Sequence, residues 1–310
     1  MHNSITFKEY IERIQIKDHS VITIGNFDGL HRGHMELIDR TVEIAKREDL
    51  ISIVFSYEVH PQNVLYKKLV YLIMPPEEKE RILFEKGIYT VLQVPFDEGL
   101  QTQTALRFCD EVLIKKLKAK YLVMGEDARF GCEMLDALSI KRYLETKGVK
   151  VELIPLKKID GERISSSKIR RSIEEGDIRK AEEYLGRPFE IIGKVVHGKK
   201  RGKITLGYPT ANLGLIPDQA VPAKGVYQTI VEYDGVRYDG ATSVGNNPTF
   251  GENPLTVETF ILDFDKIIYG KTIKLKFVRK LREELVFSSL DGLIAQMDED
   301  VRQIRENSML

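Results

Sequence analysis

Residues 25–34 read Gly25-Asn26-Phe27-Asp28-Gly29-Leu30-His31-Arg32-Gly33-His34, and this stretch decides the architecture of the first half of the chain. The apolar run 21–24 leads into it. A helical pattern over 33–47 leaves it, with Leu37, Ile38, Val42 and Ala45 on one side. A glycine-rich turn between a buried strand and a helix is where a parallel sheet presents its ligand site. His31 and His34 stand three residues apart at the helix start. That spacing turns both imidazoles to one side, beside the positive end of the helix dipole. Gly25, Gly29 and Gly33 let backbone and phosphate approach closely. The set suits attack of a phosphate on the α-phosphate of ATP, where charge develops on oxygen and positioned donors stabilise it.

Outward from this turn, strand and helix signals alternate. Strands are expected at 51–55, 89–94, 121–124 and 149–154, and helices at 77–86, 104–117 and 138–147. Such alternation predicts a parallel sheet flanked by helices, a Rossmann-like α/β nucleotidyltransferase domain. Two short helices follow at 168–175 and 178–185, separated by Gly176-Asp177. The pattern changes at Gly186-Arg187-Pro188. Beyond it lie strand-like segments at 189–196, 225–233, 236–244, 256–262 and 272–277, with Asp234-Gly235 as a hairpin turn. A final helix is expected at 290–304 after Ser288-Ser289. The reading is therefore two domains, residues 1–186 and 187–310, the second a small antiparallel β-barrel with a C-terminal helix.

Composition narrows the function classes. Lys+Arg and Asp+Glu both number 47, so the basic excess typical of a nucleic-acid binder is missing and no nucleic-acid partner is expected. No apolar run approaches the roughly 18 residues of a membrane span, so no membrane partner is expected. The first twenty residues lack a basic start followed by an apolar core and do not read as a signal peptide. The two cysteines, Cys109 and Cys132, imply a reducing, cytoplasmic setting without a disulfide framework.

Three further motifs bear on chemistry. Ser165-Ser166-Ser167 precedes a helix carrying Arg170, offering caps and phosphate donors in the manner of the second half of an ATP site. Residues 193–199 begin like a Walker A loop, but Lys200 stands where the magnesium-binding hydroxyl belongs and no helix pattern follows, so a P-loop is rejected. The stretch from Gly198 to Gly202 still offers a different glycine- and base-rich phosphate loop. In Gly207-Tyr208-Pro209-Thr210-Ala211-Asn212, Thr210 and Asn212 alternate to one side of an extended segment and offer oxygens to Mg²⁺ and ATP phosphate. Glu258, a carboxylate between apolar strand residues, is a candidate general base.

These residues together resemble the prokaryotic bifunctional riboflavin kinase/FAD synthetases. The resemblance runs over about residues 20–301. It rests on GNFDGLHRGH, HPQNVL, MGEDARFG, the ISSSKIRRSIEEGDIRKAEEYLGRPF segment, LGYPTANL, GNNPTF, VETFILDF and the final LREELVFSSLDGLIAQMDED, in family order. It implies phosphorylation of riboflavin to FMN by ATP in the barrel and transfer of AMP from ATP to FMN in the first domain. Flavin is then substrate and product, and Mg²⁺ accompanies ATP. The resemblance assigns His31 and His34 to adenylyl-transfer chemistry, and Gly25, Asn26, Asp28, Ser166 and Arg170 to the ATP site, with Gly198 and Gly207 in the phosphate loop of the kinase. Asn63 and Asp127 would line the FMN pocket. Thr210 and Asn212 would hold Mg²⁺, Glu258 would activate the ribityl hydroxyl, and Arg282 and Phe287 would belong to the flavin-covering segment.

Three positions depart from the family pattern. Ala128 stands in place of an aromatic residue, Val59 in place of a proline, and 132–136 lacks the usual glycine. All three lie on the flavin side of the adenylyl-transfer site, so the alternative expectation is a riboflavin kinase whose adenylyltransferase half is inefficient or selective for one flavin state. A flavin-binding regulatory protein with vestigial sites is a third reading. Intact HxGH, PTAN and Glu258 argue against it.

Overall fold

The computed structural model describes residues 6–65, 69–197, 209–245 and 255–308. The chain forms two compact units, Met1–Val70 with Pro76–Ser165, and Tyr71–Pro75 with Ser166–Leu310.

In the first unit the apolar runs become strands β1 (Ser20–Ile24), β2 (Ile51–Tyr57), β3 (Thr90–Val94) and β4 (Ala119–Gly125). Two short hairpins follow. One joins β5 (Arg129–Phe130) to β6 (Leu135–Asp136); the other, after β7 (Lys150–Ile154), joins β8 (Lys158–Ile159) to β9 (Glu162–Arg163). The five long strands make one parallel sheet in the order β3-β2-β1-β4-β7. Strand β1 is central: Ile22 pairs with Ile53 on one side and Leu122 on the other. Its neighbours must be buried on both faces, which is why these strands are apolar runs and not alternating ones. The chain winds from β1 towards β3, then crosses back to β4. The reversal leaves a crevice at the carboxyl ends of β1 and β4, and the turn at 25–31 lies at that edge.

Helix Arg32–Glu48 packs Ile38, Val42, Ile44 and Ala45 inward, and Arg40 clasps Glu152 of β7 through bonds of 2.6 and 2.8 Å. The helix expected at 104–117 begins as Ala105–Phe108 and continues with a wider pitch over Cys109–Lys116. Leu117 N donates to Val112 O at 2.9 Å, five residues back. The wider turn keeps Phe108, Val112, Leu113 and Leu117 facing the core, since they recur every four to five residues. Buried Cys109 sits in the same stretch, and its thiol is pushed up to about 12, chiefly by burial. An additional helix, Phe7–Arg13, inserts Phe7 and Ile11 into that core.

In the second unit, helices Ser166–Glu175 and Ile178–Leu185 precede β10 (Phe189–Val196). Strands β11 (Thr210–Gly214), β12 (Gly225–Tyr233), β13 (Val236–Gly245), β14 (Thr256–Ile261) and β15 (Thr272–Arg282) complete the unit. They close into an antiparallel barrel, β10-β11-β14-β13-β12-β15. Asp234 and Gly235 both take positive φ, 51° and 76°, as a two-residue hairpin requires. Gly193 lies inside β10, where a Cβ would come within 2.6 Å of the Gly214 carbonyl. That glycine serves close strand approach rather than a phosphate loop. Inside the barrel, Phe189, Tyr227 and Phe277 pack ring on ring. Three buried hydroxyls, Thr229, Thr242 and Thr259, are linked at 2.7 and 2.9 Å across adjacent strands. The final helix, Leu290–Glu306, starts at Ser289, whose hydroxyl accepts from Gly292 N.

Candidate active sites of the two units

The turn after β1 is held in an unusual backbone conformation. Phe27, Gly29 and Leu30 have φ of 52°, 77° and 41°. Positive φ strains a bulky residue by about 1–3 kcal/mol. Phe27 and Leu30 persist there because their side chains are fully buried and act as anchors. The strain fixes where the chain enters the helix. His31 is the N-cap: its Nδ1 accepts from His34 N at 3.2 Å. A ring nitrogen that accepts carries no proton, so the proton of neutral His31 sits on Nε2, which is thereby a donor. The His34 ring stacks on His31 with centroids 3.5 Å apart and 16° between planes, and the edge of Phe27 supports it at 5.2 Å. The structure thus brings the two histidines of the motif ring to ring at a helix N-terminus. Gly33 keeps the approach open; a Cβ there would meet His31 ring atoms at 3.4 Å.

Other predicted residues gather at the same sheet edge. Asn26 Nδ2 meets His60 Nε2 at 3.2 Å, and its Oδ1 is buried with no hydrogen-bond partner among the described residues. Asp28 is buried. After β4, Asp127 is bridged by Arg163 of the β8–β9 hairpin. Asn63 Oδ1 accepts from Val70 N at 2.9 Å, closing its own loop. After β7, Lys157 pairs with Glu36 beside Gly33. The sequence reading overlooked Lys157, Ser56 and Lys79; the last two lie under Asn26.

The departures from the family pattern have local partners. Ala128 is half-buried against the core, and Phe130 beside it is buried, 6.4 Å from Phe108. In 132–136, Glu133 accepts from Ala105 N at 2.9 Å, closing a helix whose N-cap Thr104 makes no side-chain bond. Asp136 caps the next helix by accepting from Ser139 N. The acidic residues there serve two helix starts. Val59 is exposed.

In the second unit, Ser166 opens its helix. Arg170 is buried, and its Nε donates to Tyr71 O at 2.7 Å.

On the barrel, period-2 alternation sorts the predicted kinase residues. Ala211, Leu213, Val257 and Thr259 turn inward, so Thr210, Asn212 and Glu258 share the outer face. Asn212 and Glu258 are direct cross-strand partners, and the Thr210 and Thr256 hydroxyls lie near the Glu258 carboxyl, that of Thr256 donating to the Gly245 carbonyl at 3.1 Å. Burial pushes that carboxyl up from the ordinary glutamate value, against the two hydroxyls, which favour the ionised form. Two hydroxyls, an amide and a carboxylate are hard oxygen donors of the kind Mg²⁺ takes beside nucleotide phosphates. Gly198 and Gly207 lie outside the described residues.

Arg282 is tied to the final helix. Its guanidinium grips Asp300 of the final helix with bonds of 2.8, 2.9 and 3.1 Å. Side-chain exposure is 17% for Arg282 and 5% for Asp300, so the pair is largely out of water. Phe287 is half-buried on the connection between β15 and that helix. Breaking a buried pair strands a carboxylate, so Arg282→Met is expected to lower stability by about 3 kcal/mol. Urea unfolding checks it. Unchanged stability together with weakened riboflavin binding would instead make Arg282 a flavin contact.

A parallel sheet with an HxGH turn at its switch point, joined to a closed barrel, defines a transferase of the nucleotidyltransferase class carrying a second, kinase-type domain. Comparison with known proteins gives the same two halves. The family model for FAD synthetase matches residues 13–168, and that for riboflavin kinase matches residues 185–308. The bifunctional riboflavin kinase/FMN adenylyltransferase of Listeria monocytogenes is 32% identical over 98% of this chain and 96% of its own. That of Escherichia coli K12 is 36% identical over 92% of each. A crystal structure described as a macrolide-efflux protein from Streptococcus pneumoniae superposes with a TM-score of 0.88 at 34% identity, covering 95% of this chain and 96% of that one. The chain belongs to the bifunctional riboflavin kinase/FMN adenylyltransferase family.

Proposed function

We propose that the chain phosphorylates riboflavin to FMN and adenylylates FMN to FAD, with ATP as donor in both reactions. The observation that carries the reading is the presence of both sets of groups: the stacked His31–His34 pair at a helix N-terminus, and Glu258 beside Asn212 and Thr210 on the barrel. In the first reaction the ribityl 5′-hydroxyl attacks the γ-phosphorus of ATP. Glu258 takes the hydroxyl proton, a P–O bond forms, the bond to ADP breaks, and ADP leaves. In the second, a phosphate oxygen of FMN attacks the α-phosphorus. Pyrophosphate departs, and His31 Nε2–H and His34 stabilise the charge that develops on oxygen. Thr210 and Asn212 would hold Mg²⁺, which when bound neutralises phosphate charge.

Asn26, with a buried acceptor to spare, Asp28 and Gly25 serve the ATP site of the adenylyl half; Ser166 and Arg170 serve ATP phosphate, and Gly198 and Gly207 serve ATP in the kinase. Asn63 and Asp127 serve FMN, and Arg282 and Phe287 belong to the segment that covers the flavin of the kinase. By function the halves are 1–186 and 187–310. Balanced charge supports small-molecule substrates over nucleic acid, and the cysteine usage supports a cytoplasmic setting. No helix among the described residues is long and apolar enough to cross a membrane.

Both matched family models favour two activities over a kinase with a weakened partner domain. Chromatography after incubation with riboflavin and Mg-ATP tests this. FAD should accumulate with FMN as the intermediate; FMN as the sole end product would overturn the second activity.

A further inference from the structure

Lys79 occupies an unfavourable place for a cation. It is the fourth residue of helix Pro76–Glu85, near the positive end of the helix dipole, and it is only 7% exposed. Burial lowers its ammonium from the ordinary lysine value, opposed by the Asp28 and Glu80 carboxylates. A side chain needed only for packing would be better uncharged here. The atoms it reaches explain the choice. Lys79 Nζ donates to the Ser56 hydroxyl at 3.0 Å and to the Asn26 carbonyl at 3.4 Å. The Ser56 hydroxyl donates to the same carbonyl at 3.1 Å. Ser56 is fully buried at the end of β2. This closed triangle lies beneath the first residues of the strained turn, whose remaining residues carry Asp28, His31 and His34.

We propose that Lys79 is a positioning residue for adenylyl transfer: its ammonium pins the Asn26 carbonyl against β2 and sets positive charge behind the turn, where it offsets Asp28 and favours the nucleotide's polyphosphate. The proposal rests on reading the first unit as the adenylyl-transfer module. It makes two demands on the lysine, a donor to the carbonyl and a charge beneath the turn. Loss of either shifts the turn or weakens its hold on ATP, without touching flavin.

The test uses the full chain and follows both activities in one preparation. Lys79→Met is expected to raise KM for ATP and lower kcat in FAD formation, together costing about 10- to 100-fold in kcat/KM for ATP. KM for FMN and the rate of riboflavin phosphorylation should stay unchanged. Lys79→Arg keeps the charge and should recover most of the loss in KM for ATP. Equal impairment of the Met and Arg variants, or a Met variant with wild-type constants, overturns the proposal. Should the lysine variants fold poorly, Ser56→Ala keeps the charge but removes one of its two anchors. It is expected to raise KM for ATP about threefold, and an unchanged KM for ATP in that variant overturns the proposal on its own. Wild-type protein that forms no FAD would instead sink the reading of the first unit.

Discussion

Replacing His31 and His34 together with alanine is expected to lower FAD formation by at least about 10³-fold, because removal of a single preorganised donor typically costs about 10²–10³ in rate. The geometry explains the size of the effect. His31 caps its helix through Nδ1, which puts the proton of the neutral ring on Nε2. His34 lies flat against it at 3.5 Å and is itself backed by Phe27, which the strained turn holds in place. Donors fixed before the reaction need no reorganisation as charge moves onto the phosphate oxygens. Water filling the space of two imidazoles has no such fixed orientation. Riboflavin phosphorylation should persist in the double variant, since its groups stand on the barrel. A coupled assay of FMN and FAD by chromatography reads both at once, and equal loss of both products would show that the sites are not separate.

Glu258→Gln should reduce riboflavin phosphorylation by about 10²–10⁴-fold, the usual consequence of losing a positioned base, while adenylylation of supplied FMN continues. The variant keeps the volume and the cross-strand neighbours Asn212 and Ser243, so the barrel should keep its stability. The sign of the pH dependence follows from the environment. Burial holds the Glu258 carboxyl above the ordinary glutamate value. Only its ionised form takes a proton, so kinase turnover should fall as pH drops through that raised value, at higher pH than an exposed glutamate would give. The Gln variant should lack this acid limb. Undiminished turnover in Glu258→Gln, or an acid limb that survives in it, would remove Glu258 from the role of base.

Much of this was legible in the sequence because local chemistry and tertiary role coincide. The turn at 25–34 lies between a buried strand and an amphipathic helix, and a structural turn and cap would not call for two histidines in the HxGH spacing. On the barrel, period-2 alternation was enough to put Thr210 and Asn212 on one side of their segment, whereas Glu258 joins them through the pairing of its strand with theirs. Two local signals were missed though present. Thr6 and Glu9 form a capping box that starts helix Phe7–Arg13. Asp160-Gly161 turns the β8–β9 hairpin with φ of 50° and 79°, the same device as Asp234-Gly235. Strand order and long-range partners were not legible, because they depend on residues far apart in the chain. Lys79 sits in PPEEKER, which reads as a solvated helix start, and nothing local shows that Ser56 and Asn26 lie against it. Nothing local to Arg282 shows that Asp300, eighteen positions later, accepts from its guanidinium.

The membership of residues Tyr71–Pro75 bears on how such a chain divides. This short segment, encoded within the first half, is built into the second unit. Leu72 exchanges backbone bonds of 2.6 and 2.8 Å with Asp218 and Ala220, and the Tyr71 carbonyl receives Arg170. A gene split at any single point after residue 75 therefore separates the second unit from a piece of itself. The halves look like freely exchangeable modules, yet the chain passes between the units three times. A grafted or separately expressed kinase half would have to satisfy the Arg170 guanidinium and the exposed backbone near 218–220 by other means. Fusion here is a matter of shared architecture, beyond the convenience of two activities on one polypeptide.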